Sequence, residues 1–298
     1  MSVNKISDND GSSEIKETLS QNKAQKDAKL AKVQDGIKLS KKQMKRMLKH
    51  EKWIATKSER KKREKEKRKA KIARKKEAGE LILSRKQIKS QLVPQRDSPC
   101  KVAVVIDCDY ADYMNDLEIK KLCKQLNRCY AINKHNPKPV QLYITSISGK
   151  LKTIFETYQS GYKNWDCVCS DKHWFEIFMN NNGPGLEPNL IYLSGDSENT
   201  VGECSEIQQL NNAIFIIGGL IDHNRHKGLA LERAKQNKVN HAQLPINDHI
   251  QMTQRRILAI PHVFEIMLYA ANGTIGQCWP DIFQKVIPIR KLASGDEQ

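Results

Sequence analysis

Residues 214–229, IFIIGGLIDHNRHKGL, combine residue types that could bind a ligand and act on it. An apolar run ends at Gly218 and Gly219, and Asp222 follows three positions later, just before a basic, histidine-rich turn. Because glycine has no Cβ, the backbone there can approach a ligand or a neighbouring loop closely. The alternative is a tight strand-to-helix turn without a ligand. Asp222 could likewise serve only as the N-cap of a helix that begins near His223, since Asp is a favoured cap.

The sequence on both sides of this segment alternates between apolar strands and helices. Apolar runs predict strands at residues 101–107, 140–146, 189–197, 213–222 and 240–246. Apolar residues at helical spacing predict helices at residues 114–134, 151–159 and 227–236, and near 261–271 and 279–287. Strands that are apolar throughout and alternate with helices are typical of a mostly parallel sheet covered on both faces. We therefore expect one α/β domain over residues 98–292.

The loops after the predicted strands indicate which kind of ligand this domain would bind. The first strand is not followed by G-x-G-x-x-G, and the sequence contains neither a P-loop nor a G-x-S-x-G nucleophile elbow. Instead, the loops YLSGDS, IIGGLIDHNRHK and QLPIN should meet at the carboxyl edge of the sheet, where open α/β sheets bind ligands. Several loops without a glycine-rich phosphate turn favour a nucleoside that lacks a pyrophosphate.

A basic arm precedes this domain. Residues 41–77 contain 19 Lys and Arg against five Glu, so they carry most of the formal net charge of +17. Such an arm attracts polyanions, above all nucleic acid. Ser40 is a plausible N-cap for a helix over LSKKQMKRMLKHEKW, whereas ERKKREKEKRKAKIARKK predicts a solvated helix or an unfolded tail. The charge run alone leaves a solubilising helix, a nuclear-import signal and an RNA-binding arm open.

Residues 1–38 are polar, and we expect them to be disordered.

Several protein classes do not fit this sequence. No run approaches the roughly 18 apolar residues that span a bilayer, and the first residues lack the apolar core of a signal peptide and the arginines of a mitochondrial presequence. The eight cysteines form no C-x-x-C pair, which is typical of reduced thiols. Cys167, Cys169 and His173 are too few for a zinc site, so we expect no metal. These features favour a nuclear or cytoplasmic protein.

The motifs in this order resemble those of a known family. DCDYADYMNDLEIKKLCKQLNRCYAIN (residues 107–133) resembles the pattern DCxxxDxMxxxEIxxLxxQxxRxYxxN, and YLSGDS, IIGGLIDHNRHKGL, AQLPI, RRILAIPHVFEIML and PIRKL follow it. Together they resemble the tRNA position-nine purine N1-methyltransferase family, over residues 98–292 and upstream into SKKQMKRMLKHEKW. The resemblance implies a SPOUT-class α/β fold with a mostly parallel sheet and a C-terminal trefoil knot that binds S-adenosylmethionine. It also implies a basic, partly helical RNA-binding arm over residues 39–97, and leaves residues 293–298 as a tail.

The resemblance implies roles for the residues of the strand-end loops. Neutral guanine has no free lone pair at N1, so Asp222 would accept the N1 proton as general base; substrate positioning is the alternative, besides capping. Pro261 departs from the residue that the family has there, and it restricts the backbone of Ala259 and Ile260. The expected cofactor-binding residues are Tyr192, Leu193, Ser194, Gly218, Gly219, His223, Asn224, Arg225, His226, Lys227, Leu231, Leu244, Arg256, Ile257, Leu258 and Ala259.

Further residues are expected to contact RNA. Gln125, Arg128 and Lys134 lie on the long predicted helix and match family positions linked to tRNA handling or catalysis. Ordinary surface charge is the alternative for each of them. Phosphate contacts from the arm would supply affinity without reading sequence. The basic residues chosen in the arm are Lys61, Lys62, Arg63, Lys67 and Arg68.

The resemblance thus predicts a monomeric enzyme that transfers a methyl group from S-adenosylmethionine to N1 of guanine nine in tRNA and forms N1-methylguanosine. Two other interpretations stay open. One is a non-catalytic knotted protein that binds RNA. The other is a SPOUT methyltransferase that acts on another RNA, on a ribose hydroxyl or on adenine at position nine.

Overall fold

The computed structural model describes residues 40–80, 83–179, 188–210, 212–223, 225–251, 257–275 and 278–288. The chain divides into two compact units, Met1–Leu83 and Ser84–Gln298. The segments for which the sequence predicts tails, residues 1–38 and 293–298, lie outside the described residues.

The first unit contains two basic helices, α1 (Lys41–Ala55) and α2 (Lys57–Glu77). Ser40 caps α1 in a reciprocal arrangement: its hydroxyl accepts from the Gln43 amide at 3.3 Å, and the Gln43 side chain accepts from the Ser40 amide at 2.8 Å. Neither helix contains a buried residue. The charge-dense segment, which the sequence left open as a helix or a tail, is therefore a solvated helix.

The second unit is built on a six-stranded sheet of order β3-β2-β1-β5-β4-β6, in which every strand pair is parallel. This confirms the predicted mostly parallel α/β sheet. Parallel strands present all their carboxyl ends at one edge, so the loops that follow them are neighbours there. The strands are β1 (Ala103–Asp107), β2 (Gln141–Thr145), β3 (Val168–Cys169), β4 (Asn189–Leu193), β5 (Ala213–Gly218) and β6 (Asn240–Ala242).

Helices cover both faces of the sheet. The helices of the second unit are α3 (Arg85–Ser90), α4 (Asp116–Lys134), α5 (Gly149–Tyr158), α6 (Trp174–Met179), α7 (Cys204–Gln209), α8 (Leu229–Gln236), α9 (Ile246–His249), α10 (Ile260–Asn272) and α11 (Trp279–Val286). The larger core joins Val104 and Ile106 of β1 to α4, α5, α7, α10 and α11, and the smaller core joins Val105 of β1 to Trp174 of α6 and Ala234 of α8.

Local sequence explains where the helices nearest the carboxyl edge begin. Asn115 and Glu118 form a capping box at the start of α4, two residues after the predicted start. Pro261 lies in the first turn of α10, where a backbone N–H has no partner within the helix. The departure from the family pattern at this position is thus compatible with the helix.

The described helices include none that is both long and apolar enough to cross a membrane.

Candidate active site

The three predicted strand-end turns belong to neighbouring strands. Leu193, the last residue of β4, pairs with Ile217 of β5 on one side and with Ala242 of β6 on the other. The Ser194 amide then donates to the Ala242 carbonyl at 3.0 Å. The turns after residues 193, 218 and 242 therefore start side by side at one edge of the sheet.

Backbone hydrogen bonds join two of these turns beyond the strand ends. The Gln243 amide donates to the Asn199 carbonyl at 2.8 Å, and the Val201 amide donates to the Gln243 carbonyl at 2.9 Å. Leu244, which follows, is half-buried against the larger core. The turn after β4 and the turn after β6 consequently form one connected surface.

Contacts within the chain require glycine at position 219. The Gly219 amide donates to the Asp107 carbonyl at 2.6 Å, and a Cβ on Gly219 would lie 2.6 Å from the same oxygen. A Cβ on Gly218 would make an ordinary contact of 3.5 Å with the ring of Tyr110. Gly219 thus lets the end of β5 approach the end of β1 closely.

Asp222 is buried, with 8% of its surface exposed. Its Oδ2 accepts a 2.7 Å hydrogen bond from the His226 amide. The next helix, α8, begins at Leu229 with Gly228 as its N-cap. The proposed capping of a helix that begins near His223 is therefore wrong, since Asp222 instead stabilises a turn between β5 and α8.

This turn is attached to the start of α4. Arg225 donates to the Glu118 carboxylate at 2.9 Å and to the Tyr113 carbonyl at 3.3 Å. The His226 ring packs edge-on against Tyr113, with 5.2 Å between ring centroids, and Lys121 Nζ lies 3.4 Å from His223 Nε2. The guanidinium of Arg225, expected to contact a ligand, thus holds the Asp222 turn against α4.

Glu118 is suited to this anchoring role. Its side chain is buried and accepts from the Asn115 amide at 2.9 Å. That backbone hydrogen bond, followed by the bond from Arg225, lowers the pKa of the Glu118 carboxyl. The carboxylate therefore stays charged at neutral pH and continues to bind Arg225.

A buried polar network, not assigned from the sequence, lies beneath the glycine turn. The Tyr192 hydroxyl donates to Asp107 Oδ2 at 2.9 Å and lies 2.6 Å from the Tyr110 hydroxyl. Asp107 Oδ1 accepts from the Asp109 amide at 3.1 Å. Burial raises the pKa of both tyrosines, so their hydroxyls stay protonated and can donate. The signal was present in the sequence, because Asp107 and Tyr110 open the motif DCDY.

The remaining predicted cofactor residues differ in how they could contact a ligand. The Tyr192 side chain is buried in the smaller core, so a ligand could reach only its main chain. Ser194 Oγ accepts from the Asp196 amide at 3.2 Å, and Asp196 Oδ2 accepts from the Gly228 amide at 3.0 Å. These two bonds tie the turn after β4 to the start of α8.

Other members of the predicted set surround these turns. His223, His226 and Lys227 are exposed, and Leu231 and Leu258 are half-buried. Ile257 is exposed, and Ala259 is the N-cap of α10. Asn224 and Arg256 lie outside the described residues.

A polar cleft of about 360 Å³ opens beside α8. Arg233 lies in it, forms an ion pair with Asp109 and stacks on Tyr110 at 4.5 Å. None of the residues that line this cleft belongs to the predicted cofactor set. They are Asp109, Tyr113, His173, Leu229, Glu232, Arg233, Gln236 and Asn237.

The expected RNA-contacting residues of the sheet unit lie along α4. Gln125 is half-buried, and its buried Oε1 has no hydrogen-bond partner in the described part of the chain. Arg128 is exposed, and Lys134 Nζ lies 5.4 Å from the centroid of the Tyr130 ring. At 1.5 Å per residue, Lys134 is roughly 20 Å farther along the helix axis than Lys121, which contacts the Asp222 turn.

The expected arm residues are all exposed on α2. They are Lys61, Lys62, Arg63, Lys67 and Arg68. Across the described ranges, no cluster of three or more His, Cys, Asp or Glu side chains is arranged to hold a metal ion.

Comparisons with known proteins identify the family of this chain. Residues 37–292 match the family model described as tRNA (guanine(9)-N(1))-methyltransferase TRM10/TRM10A. The tRNA (guanine(9)-N1)-methyltransferase of Schizosaccharomyces pombe is 33% identical over 285 residues, which are 93% of this chain and 88% of the relative. The tRNA methyltransferase 10 homolog A of Homo sapiens is 38% identical over 191 residues, which are 64% of this chain and 52% of the relative. The chain thus matches about half the length of the vertebrate relatives.

A crystal structure of full-length spTrm10 in complex with SAH is similar to this chain. It has a TM-score of 0.55 and 33% sequence identity, and covers 64% of this chain and 97% of that chain. Fold, motif order and sequence similarity agree, and the chain belongs to the tRNA (guanine(9)-N(1))-methyltransferase TRM10/TRM10A family.

Proposed function

We propose that this protein is an S-adenosylmethionine-dependent methyltransferase that forms N1-methylguanosine at position nine of tRNA. The observation that carries the proposal is the meeting of three turns at one sheet edge. Ser194, Gly219 and Gln243 follow the neighbouring strands β4, β5 and β6, and the buried Asp222 lies three residues beyond Gly219. The spTrm10 structure with SAH has this fold.

The residues at this edge fit a nucleoside that carries a sulfonium group. Leu244 and Leu258 are half-buried and could pack against the faces of an adenine, while main-chain groups of the turns read its edge. When bound, S-adenosylmethionine supplies an electrophilic methyl group and needs no metal. We infer that the segments after β4, β5 and β6 form the trefoil knot of the SPOUT class. The bonds between residues 199–201 and Gln243 support this inference.

Asp222 would act on the base that is methylated. Its Oδ2 is held by the His226 amide, and the turn that carries it is held by the Glu118–Arg225 pair. We propose that the carboxylate accepts the N1 proton of guanine, which frees the N1 lone pair for attack on the methyl carbon. The fixed turn keeps the carboxylate in one orientation, as a general base requires.

The arm would supply affinity for the RNA backbone. Helix α2 contains no buried residue and is rich in Lys and Arg. Such a helix is suited to contact phosphates irrespective of base sequence. We propose that tRNA is the partner and that the protein acts on it as a monomer. Light scattering of the protein with and without tRNA tests this stoichiometry.

Incubation with a labelled methyl donor tests the function directly. The purified chain is given tRNA transcripts that differ only in guanine, adenine or cytosine at position nine, and the methylated nucleotide is mapped. We expect label at N1 of guanine nine and none in the cytosine transcript. Label at adenine nine would extend the substrate range, and label elsewhere would overturn the proposed site.

Calorimetric titration with S-adenosylhomocysteine separates the proposal from its main alternative. Binding of S-adenosylhomocysteine without methylation of any transcript would favour a non-catalytic knotted RNA-binding protein. Failure to bind this ligand would contradict the cofactor site itself.

A further inference from the structure

Two cysteine thiols lie close together at the edge of the sheet, away from the Asp222 turn. Cys167 and Cys169 flank Val168, and their sulfur atoms are 3.7 Å apart. Strand β3 is one of the two edge strands of the sheet and consists of only two residues. Both thiols are half-buried, so small reagents can reach them.

The other six cysteines differ from this pair. Five are buried: Cys100, Cys108, Cys123, Cys129 and Cys204. Cys278 is exposed, and its sulfur lies 3.2 Å from Asp281 Oδ2. It therefore offers an accessible thiol for comparison, with a carboxylate as its neighbour.

The two thiols of the pair are not equivalent. The two sulfur atoms are within hydrogen-bond distance of each other, and either thiol can be the donor. This contact lowers the pKa of Cys169 and, together with burial, raises the pKa of Cys167. The carboxylate of Asp166, next in the chain, also opposes a negative charge on Cys167. We take Cys169 as the attacking thiol and Cys167 as the resolving thiol; the converse order gives the same disulfide.

We propose that Cys167 and Cys169 form a redox-active dithiol site, which closes to an intramolecular disulfide on reaction with a hydroperoxide. The Cys169 thiolate attacks the peroxide oxygen, the O–O bond breaks, and a sulfenic acid and one water form after protonation. The Cys167 sulfur then attacks the Cys169 sulfur, the S–O bond breaks, and the second water leaves. Two thiols and one hydrogen peroxide thus give one disulfide and two waters.

Formation of this bond requires a local change of the backbone. In an extended strand, residues two apart have Cα atoms roughly 6.6 Å apart, near the upper end of the range of about 4.4–6.8 Å for disulfides. Cys167 lies in a bend just before β3 and outside the residues that pair with β2, so the change can be confined to the start of a short edge strand. Formation of the disulfide would disturb the pairing of Val168 and Cys169 with β2. It would also disturb the 2.9 Å hydrogen bond from the Ser170 amide to the Ile144 carbonyl.

Peptide mass spectrometry of the full chain tests the proposal. The protein is treated with hydrogen peroxide, unfolded in the presence of an alkylating reagent and digested with trypsin, which releases residues 164–172, NWDCVCSDK. We expect this peptide to lose two hydrogens and to carry no alkyl group. Treatment with dithiothreitol before alkylation should restore two alkylated cysteines.

Three variants serve as controls. C167S and C169S should each abolish the two-hydrogen loss, whereas C278S should retain it because Cys278 is outside the pair. Two alkylated cysteines in residues 164–172, at a peroxide dose that oxidises Cys278, would overturn the proposal. A disulfide from either thiol to another cysteine peptide would overturn it as well.

Discussion

The hydroxyl of Tyr192 donates a 2.9 Å hydrogen bond to Oδ2 of Asp107 and so joins β4 to β1 across β5, the strand between them. At this point β5 carries Gly218, which pairs with Asp107. The Tyr110 ring fills the space over that glycine. One buried carboxylate thus fixes the end of the strand that leads into Leu193 and Ser194.

Replacing Tyr192 with Phe should weaken both the fold and the proposed cofactor site. The buried Asp107 carboxylate would lose a donor, which typically costs about 1–3 kcal/mol. We expect a decrease of that size in the free energy of unfolding by urea, and weaker binding of S-adenosylhomocysteine by calorimetry. Y143F is the matched control, because no hydrogen bond of the Tyr143 hydroxyl is present in the described residues. Equal effects of the two substitutions would contradict the proposed role of the network.

Gly219→Ala should displace the glycine turn. The new Cβ would meet the Asp107 carbonyl oxygen at 2.6 Å, so the end of β5 must move away from β1. Overpacking of this kind costs about 1–3 kcal/mol, and we expect a corresponding fall in the urea midpoint together with weaker binding of S-adenosylhomocysteine. Gly161→Ala is the control, since no atom lies within 4 Å of its Cβ position. Unchanged stability and binding in G219A would show that the close approach is unimportant.

Asp222→Asn should separate catalysis from cofactor binding. The amide has nearly the size of the carboxylate but cannot accept the guanine proton as a base. We expect methyl transfer in single-turnover assays to slow by about 10²–10⁴-fold, the usual contribution of general acid–base catalysis, with little change in the Kd for S-adenosylhomocysteine. D97N, which changes an exposed carboxylate on the amino side of β1, should behave as the wild type. Wild-type turnover of D222N would exclude the base role.

Glu118→Gln should remove a stabilising interaction in a pH-dependent way. The folded state lowers the pKa of Glu118, so its contribution is complete above the unfolded pKa of about 4.3 and is lost as pH falls through the folded pKa. The stability difference between wild type and E118Q should thus be constant from pH 7 to about 5 and shrink at lower pH. The midpoints of urea unfolding at each pH measure this stability difference. E156Q is the control, because Glu156 forms only an exposed ion pair of 4.0 Å with Lys163. A stability difference between wild type and E118Q that grows on acidification would contradict the lowered pKa of Glu118.

Neutralising the arm should weaken tRNA binding and reduce its dependence on salt. Each phosphate contact that is lost should lower the slope of log affinity against log salt by about 0.7–0.9. We expect a lower slope when Gln replaces Lys61, Lys62, Arg63, Lys67 and Arg68. Filter binding of tRNA at several salt concentrations measures the slope. Replacement of the three lysines by Arg keeps the charge and should keep the slope. An unchanged slope in the Gln variant would argue against the arm as the phosphate-binding element.

The elements that the sequence predicted well are those with strong local signals. The apolar runs placed β1, β2, β4, β5 and β6, and the Asn115–Glu118 capping box begins α4 close to the expected residue. Strand β3 and helices α3, α6, α7 and α9 were missed, since elements of two to six residues are too short to show a periodicity. Capping of a helix near His223 was an alternative for Asp222 because Asp is a common cap, but the helix begins only at Leu229.

The sequence by itself determined the α/β class, the basic arm, the motif order that identifies the family and the presence of three turns after apolar strands. Each of these depends on residues that are close together in the chain. Only the tertiary structure decided that Tyr192 binds Asp107 across β5, and that Arg225 binds Glu118, 107 positions earlier. Such partners follow from strand order and helix packing, and a side chain's type does not specify which distant residue will lie beside it.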